Sequence, residues 1–160
     1  MITQELAHKL FEYKDGHLYW KSMPYQRNDL IGTEAGTSDG DRRQITINKK
    51  HYKTHRLIYL MFHGYMPKEI DHIDTNSLNN LIENLRPANR SEQVCNTSLR
   101  KNNKSGTKGV SWDSNRNKWV VVVSKNNKTV YRDRFKNLEL AQLVAIEARD
   151  KYHGSFARHK

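Results

Sequence analysis

The chain has 160 residues, of which 36% are hydrophobic, and its 28 Lys and Arg residues against 17 Asp and Glu residues give a formal net charge of +11. This length allows one domain or two small ones, and so few hydrophobic residues exclude a single large core. No run of about 18 apolar residues is present, which excludes a transmembrane helix. The single cysteine, Cys95, excludes an intrachain disulfide and a zinc site built from several cysteines. We expect an intracellular protein, because the first residues lack the basic and apolar segments of a secretory signal.

The positive charge is concentrated between residues 97 and 136. This segment holds 11 Lys and Arg residues and two Asp residues, a net charge of +9. So concentrated a charge attracts polyanions and makes their binding sensitive to salt. Aromatic residues lie among the charges, as they do on surfaces that contact nucleic acid. We therefore predict a nucleic acid partner, rather than a membrane surface or a merely solvated basic face.

The first part of the chain is predicted to contain short helices and hairpins. A helical pattern near the start is followed by the hairpin turn Asp15-Gly16. Residues 22–43 are polar and are predicted to form loops around a short strand. A second hairpin is predicted over residues 44–54. The apolar spacing that follows it predicts a helix over residues 55–63.

The middle of the chain is predicted to form two strands and a helix. A short apolar stretch leads into Asp71-His72, and after a polar loop residues 82–86 are predicted to form a strand. The helix that follows is expected to begin at Asn89 or Ser91.

The last part of the chain has a different pattern. Residues 99–106 are polar, basic and contain glycine, and are predicted to be a linker. Beyond them we predict three strands and an amphipathic helix that ends near Gly154. The predicted fold class is therefore α+β, with one domain over residues 1–98 and a second over residues 107–160.

Asp71 and His72 are the residue types that phosphodiester hydrolysis requires. The reaction needs a base that activates water and a divalent metal that stabilises the developing negative charge. A histidine at the end of a strand can act as the base, and a bend in the strand lets the adjacent aspartate bind the metal. Asn84 follows His72 by twelve residues and is predicted to hold the imidazole by a hydrogen bond.

The segment from Asp71 to Gln93 resembles the HNH homing endonucleases, which contain a ββα-metal finger. The resemblance is carried by the spaced motifs Asp71-His72, Asn79-Asn80, Glu83-Asn84-Leu85-Arg86 and Ser91-Glu92-Gln93. It implies that His72 is the general base and that Asn84 is the central asparagine that fixes the imidazole. It also implies that Asp71 binds one Mg²⁺ or Mn²⁺ ion.

Gln93 departs from the pattern of this family, which usually has Asn or His as the second metal ligand. The amide oxygen of glutamine can bind Mg²⁺ or Mn²⁺, but its longer side chain shifts that oxygen. Asn96 lies one helical turn further on and is the alternative ligand. A weakened or lost activity is the third possibility.

Residues 105–158 resemble the DNA-binding domains of the APETALA/ethylene-response-factor type. The phrase His153-Gly154-Ser155-Phe156-Ala157 is a specific part of this likeness. The resemblance implies a three-stranded sheet that enters the major groove, which a β-sheet can do. The predicted DNA contacts are Trp112, Arg116, Lys118, Trp119, Arg132 and Arg134, with Arg86 as a further contact or, alternatively, a structural ion pair.

Together these patterns predict a metal-dependent endonuclease of the HNH homing type that hydrolyses double-stranded DNA. The chain is expected to act as a monomer, without a small-molecule cofactor and away from membranes. Because free-standing relatives are commonly phage enzymes, the expected setting is the cytoplasm of a phage-infected bacterium. One alternative is a DNA-binding regulator that has lost cleavage through Gln93. The other is a protein that binds or cleaves structured RNA.

Overall fold

The computed structural model describes residues 2–23, 28–40 and 42–159. The contacts within the chain divide it into two compact units, Met1–Ala88 and Asn89–Lys160. The prediction of loops over residues 22–43 lies in part outside the described residues, at 24–27 and 41. Elsewhere in that stretch a strand, Thr37–Asp39, is present. None of the helices in the described part of the chain is long and apolar enough to cross a membrane.

The first unit begins with a helix and a hairpin. Helix α1 is Gln4–Leu10, and strands β1, Phe11–Lys14, and β2, His17–Trp20, are antiparallel. The turn between them is Asp15-Gly16, as predicted, with both residues at positive φ (49° and 82°). Such a turn matches the twist of the flanking strands.

A three-stranded antiparallel sheet and a second helix follow. The strands are β3, Thr37–Asp39, β4, Arg42–Ile47, and β5, Lys50–Lys53, and helix α2 is Thr54–His63. The second hairpin and the helix after it are thus confirmed. The core of this unit is apolar. Its buried side chains include Phe11, Leu18, Ile45, Leu57, Ile58, Ile70 and Leu85.

A two-stranded ribbon completes the first unit. Strand β6, Glu69–His72, pairs antiparallel with strand β7, Leu85–Ala88. The predicted strand over 82–86 is wrong in its first half, because Ile82–Asn84 forms a turn of 3₁₀-helix before β7 begins. This ribbon carries Asp71 and His72 at the carboxyl end of β6.

The second unit begins with helix α3, Arg90–Asn96. Its N-cap is Asn89, one of the two predicted starting positions, whereas Ser91, the predicted N-cap, lies within the helix. Asn89 forms a capping box with Glu92. At the other end of the helix, the carbonyl of Cys95 accepts hydrogen bonds from Lys108 Nζ (3.0 Å) and Arg149 Nη2 (3.1 Å). Carbonyls at a helix C-terminus have no partner within the helix, so these cations stabilise it.

The rest of the second unit is a sheet with one helix. Strands β8, Val110–Asp113, β9, Lys118–Lys125, and β10, Lys128–Phe135, form an antiparallel sheet in the order β10-β9-β8. Helix α4, Leu138–His153, packs on one face of this sheet. The predicted arrangement of three strands and a helix is confirmed, and the mixture of helix and sheet in both units confirms the α+β class.

The compact units do not coincide with the predicted domains. Helix α3 groups with the second unit, whereas the sequence places it with the nuclease domain. Within the predicted linker, Ser105 is buried and its hydroxyl oxygen lies within hydrogen-bond distance of the carbonyl oxygens of Thr107 and Val110 (both 2.9 Å). A functional division at residues 98 and 107 stays a prediction.

Candidate active site

His72 is a buried side chain at the end of strand β6. It is 6% exposed, and its Nε2 atom lies 3.0 Å from Oδ1 of Asn80, which is also buried. Because an amide oxygen only accepts hydrogen bonds, this contact places the ring proton on Nε2. The lone pair of the neutral imidazole is then on Nδ1. The hydrogen bond therefore selects the tautomer in which Nδ1 is the atom that accepts a proton.

The imidazole is held by Asn80 and not by Asn84, so the predicted contact between Asn84 and His72 is wrong. The side chain of Asn84 is turned into the loop that joins the two strands. Its Nδ2 donates to Asp74 Oδ1 (2.9 Å) and to the carbonyl of Asn79 (2.8 Å), and its Oδ1 accepts from the backbone N–H of Asp74 (3.0 Å). Asn84 thus fastens the loop from which Asn80 projects. Residue spacing does not reveal the path of this loop, so the sequence alone does not show that Asn80, and not Asn84, meets the imidazole.

Asp74 is the acceptor that organises the same loop. Its carboxylate accepts from the backbone N–H of Asn76 (2.8 Å) and from the side-chain amide of Asn79 (2.7 Å), besides Asn84. Desolvation raises the pKa of Asp74, but the hydrogen bonds from Asn79 and Asn84 outweigh it, so the net shift is downward. The loop is therefore fixed by a charge-assisted network around an ionised aspartate.

A second histidine, His55, packs on His72 from helix α2. The two ring centroids are 5.2 Å apart in an edge-to-face arrangement, and His55 is 5% exposed. Burial and the neighbouring His72 lower the pKa of His55 to about 3, with further contributions from nearby basic side chains. His55 is therefore neutral at ordinary pH and acts as packing against the ring of His72.

The stability of the chain is expected to fall on acidification because of His55. Its pKa is about 3 in the folded chain, compared with the ordinary value of 6.5. The unfolded chain therefore binds more protons between these two values, and the stability that His55 contributes is lost as the pH falls through this window. Replacing His55 by Gln, which does not titrate, should make the free energy of unfolding less dependent on pH.

Urea unfolding at about pH 7.5 and about pH 5 measures this difference. The matched control is His63→Gln, which alters an exposed histidine on the same helix. The control should keep the pH dependence of the wild-type chain. If His55→Gln lost as much stability between the two pH values as the wild-type chain, His55 would not be the source of the pH dependence.

Asp71 and Arg86 form an ion pair across the ribbon. They are cross-strand partners, and Arg86 Nε and Nη2 lie 3.0 Å and 2.8 Å from Asp71 Oδ2. Both side chains are largely buried, at 14% and 13% exposure. The sequence left two roles open for Arg86, a DNA contact and a structural ion pair. The structure shows the ion pair. The guanidinium holds the Asp71 carboxylate in one orientation, next to His72 in the chain.

Gln93 and Asn96, the two alternative second metal ligands, lie three residues apart on helix α3. Gln93 is half-buried and Asn96 is buried. Among the described residues, no group of three or more His, Cys, Asp or Glu side chains is placed to hold a metal ion. Binding of one metal ion by Asp71 and by Gln93 or Asn96 stays a prediction, and oxygen donors of these kinds suit Mg²⁺ or Mn²⁺.

The sheet of the second unit has one face toward α4 and one face away from it. Trp119 packs with the residues that contact α4, and Trp112 pairs with Trp119 across β8 and β9, with the ring centroids 5.0 Å apart. Directly opposed residues share a face, so both tryptophans lie on the α4 side. The opposite face carries Lys118, Arg132 and Arg134, which we name the outer basic face.

The structure thus divides the predicted DNA contacts. It brings Lys118, Arg132 and Arg134 together and separates them from the two tryptophans, because side chains alternate along a strand. Arg116 lies in the turn between β8 and β9, where it forms an ion pair with Asp113 (3.3 Å). Asp113 is also 3.7 Å from Arg134. DNA contact by any of these residues stays a prediction.

The comparison with protein families agrees with the geometry of the ribbon. Residues 52–94 match the family model described as HNH endonuclease. This range contains α2, β6, the loop of Asn80 and β7, which are the elements that hold His72. The chain therefore contains an HNH endonuclease domain. The presence of this domain supports nuclease activity and implies DNA binding.

The chain also has a shorter relative. It is 36% identical over 119 residues to Protein 3.8 of Escherichia phage T7, an alignment that covers 70% of this chain and 96% of that protein. The chain therefore belongs to the family that contains Protein 3.8. No solved structure matches it significantly.

Proposed function

We propose that this chain is a metal-dependent DNA endonuclease of the HNH homing type, encoded by a phage. The observation that carries the proposal is the buried His72, whose Nε2 is bonded to Asn80 within the segment that matches the HNH endonuclease model. A fixed tautomer with its lone pair on Nδ1 is suited to general base catalysis. In this proposal, Nδ1 of His72 removes a proton from the water that attacks the scissile phosphate.

The residues around His72 have supporting roles in the proposal. Asn80 keeps the ring proton on Nε2, and Asn84 keeps the loop of Asn80 in place through Asp74 and Asn79. Asp71, oriented by its ion pair, and Gln93 or Asn96 would hold one Mg²⁺ or Mn²⁺ ion. When bound, the metal would stabilise the negative charge on the leaving 3′-oxygen.

We assign duplex DNA binding chiefly to the second unit, in the manner of an APETALA-type domain. The outer basic face, formed by Lys118, Arg132 and Arg134, supports this assignment, because a sheet can enter the major groove and arginine can bind guanine or phosphate. Arg116 lies close enough to this face to share its ion-pair partner, Asp113. The protein would act as a monomer, without a small-molecule cofactor, in the cytoplasm of the infected bacterium.

Replacing Asp71 by Ala is expected to lower metal-dependent cleavage by about 10²-fold or more, since metal ligation contributes several kcal/mol to catalysis. Raising the Mn²⁺ concentration should restore the rate poorly. Mn²⁺ binding, followed by electron paramagnetic resonance, should weaken in parallel, and this readout does not depend on activity. Full activity and unchanged Mn²⁺ binding would move the metal ligand elsewhere, with Asp74 as the first candidate.

The substrate class is tested with labelled duplex DNA and duplex RNA of the same sequence, each incubated with the chain and Mn²⁺. The proposal predicts cleavage of DNA, because A-form RNA has a deep, narrow major groove that a sheet does not enter. Preferential cleavage of RNA would replace the proposal by a ribonuclease. Binding of duplex DNA without cleavage would favour a regulator whose activity was lost through Gln93.

A further inference from the structure

The turn of the first hairpin lies against the loop that holds His72. Gly16 is buried and has a φ of 82°. A Cβ atom at this position would lie 3.0 Å from the backbone nitrogen of Leu81 and 3.1 Å from the carbonyl carbon of Asn80. These distances are shorter than ordinary van der Waals contacts, so a Cβ atom here would press on the backbone of the loop. Glycine is required here by its positive φ and by this close approach.

The same hairpin makes a second contact with the loop. The backbone N–H of Ile82 donates to the hydroxyl of Tyr13 on strand β1, at 3.2 Å. The ring of Tyr13 packs edge-to-face on Phe62 of α2, with the centroids 4.9 Å apart. Tyr13 is therefore held in place by the helix that also carries His55. Gly16 and Tyr13 together contact three successive residues of the loop, 80–82.

The hairpin is firmly anchored in the core of the first unit. Phe11 and Trp20 are buried and lie opposite each other at its open end, with ring centroids 4.8 Å apart. Leu18, opposite Tyr13, is 1% exposed. Close packing of this kind resists displacement. The hairpin can therefore act as a rigid support for a polar loop that has few apolar side chains of its own.

We propose that the β1–β2 hairpin is a positioning element for His72. Gly16 and Tyr13 hold the backbone at residues 80–82, and this fixes Asn80 so that its Oδ1 meets Nε2 of His72. The hairpin is thus assigned an effect on His72 through Asn80 and no direct part in the chemistry. The inference rests on the proposed function only in giving His72 a catalytic role, while the effect on the His72 tautomer is independent of it.

The test compares Gly16→Ala with Gly32→Ala in the full-length chain. Gly32 also has a positive φ, 78°, but a Cβ atom there would meet nothing within 4 Å. Both variants carry the same kind of backbone strain, and only Gly16→Ala presses on Asn80 and Leu81. Gly16→Ala is expected to lower kcat for DNA cleavage by about 10²-fold, as small misplacements of catalytic groups do. KM should stay close to the wild-type value, since the interaction acts on the chemical step. Gly32→Ala should leave both parameters near wild type.

A spectroscopic readout separates this inference from the proposed function. The ¹⁵N resonances of the His72 ring, recorded without DNA or metal at a pH where the ring is neutral, report which nitrogen carries the proton. The wild-type chain and Gly32→Ala should show protonation on Nε2. Gly16→Ala should show a mixture of tautomers, as should Asn80→Leu, which removes the acceptor and serves as the reference.

The outcomes are distinguishable. A changed tautomer in Gly16→Ala, in a protein whose wild type cleaves no DNA, would uphold the positioning role and contradict the proposed function. Equal tautomers and equal kcat values in Gly16→Ala and Gly32→Ala would overturn the positioning role. If Gly16→Ala does not fold, Tyr13→Phe decides the question, because it removes one hydroxyl and leaves the ring. A wild-type tautomer and kcat in Tyr13→Phe would then overturn the inference.

Discussion

The His72→Ala variant is expected to cleave duplex DNA about 10²- to 10⁴-fold more slowly than the wild-type chain, which is the usual contribution of a general base. Its affinity for duplex DNA should remain nearly unchanged, because His72 is buried and the phosphate contacts are assigned to Lys and Arg side chains. The measurement is the single-turnover rate on a labelled duplex, with affinity determined separately in the absence of metal.

The control for this variant is His63→Ala, which removes an exposed histidine from helix α2. It should cleave at the wild-type rate. Unchanged turnover in His72→Ala would show that another group activates the water. A parallel loss of DNA affinity would instead assign His72 to binding.

The affinity of the chain for duplex DNA is expected to fall by about 10³-fold between 50 and 200 mM salt, if about six Lys or Arg side chains contact phosphates. The physical reason is the release of counterions from DNA, which is less favourable at high salt. The +9 charge of residues 97–136 motivates this estimate. A titration with a labelled duplex gives the slope, and a nearly flat dependence would contradict phosphate binding by this segment.

The outer basic face is tested in the same titration. Replacing Lys118, Arg132 and Arg134 together by Ala should reduce the salt slope by about three, roughly one for each phosphate that is no longer neutralised. The matched control replaces three exposed lysines of the first unit, Lys9, Lys49 and Lys50, and changes the net charge equally. An equal effect of both triple variants would assign the salt dependence to overall charge. A steep slope without sequence preference would keep DNA binding in the second unit and leave specificity to the first.

The position of His72 could be predicted from the sequence because it depends on local pattern. An apolar stretch leads into Asp71-His72, and the motifs that follow restrict the segment to two strands and a helix. The structure confirms the strand that ends at His72, and the match over residues 52–94 supports the HNH assignment. The start of the next helix could also be predicted, because its N-cap, Asn89, and Glu92 form a capping box, which is a local motif.

The partner of His72 could not be predicted, because it depends on the conformation of a loop. Asn79, Asn80 and Asn84 offer the same amide group, and only the folded loop decides which of them meets the imidazole. Thr75 has a φ of 66°, a left-handed backbone conformation that threonine rarely adopts, so its residue type does not predict the turn. The contact of Gly16 with Asn80 joins positions 64 residues apart and leaves no periodic signal in the sequence.

The two faces of the sheet in the second unit could be predicted only in part from the sequence. Alternation along β9 predicts that Lys118 and Trp119 point to opposite sides of the sheet. Which side carries α4 is decided by packing, and Trp119 proves to be on that side. The resemblance to APETALA-type domains predicts DNA contacts from the two tryptophans and from the basic residues together. The structure places the tryptophans on one face of the sheet and Lys118, Arg132 and Arg134 on the other.

The central claim, that this chain is a metal-dependent endonuclease, is tested most directly by the conversion of supercoiled plasmid to open circles by the full-length protein. Reactions with Mg²⁺, with Mn²⁺ and with excess chelator are followed on a gel over time. We predict that open circles form with Mg²⁺, with Mn²⁺ or with each of them, and that no plasmid is converted in excess chelator. Plasmid that stays supercoiled with both metals, or that is nicked equally in chelator, would contradict it.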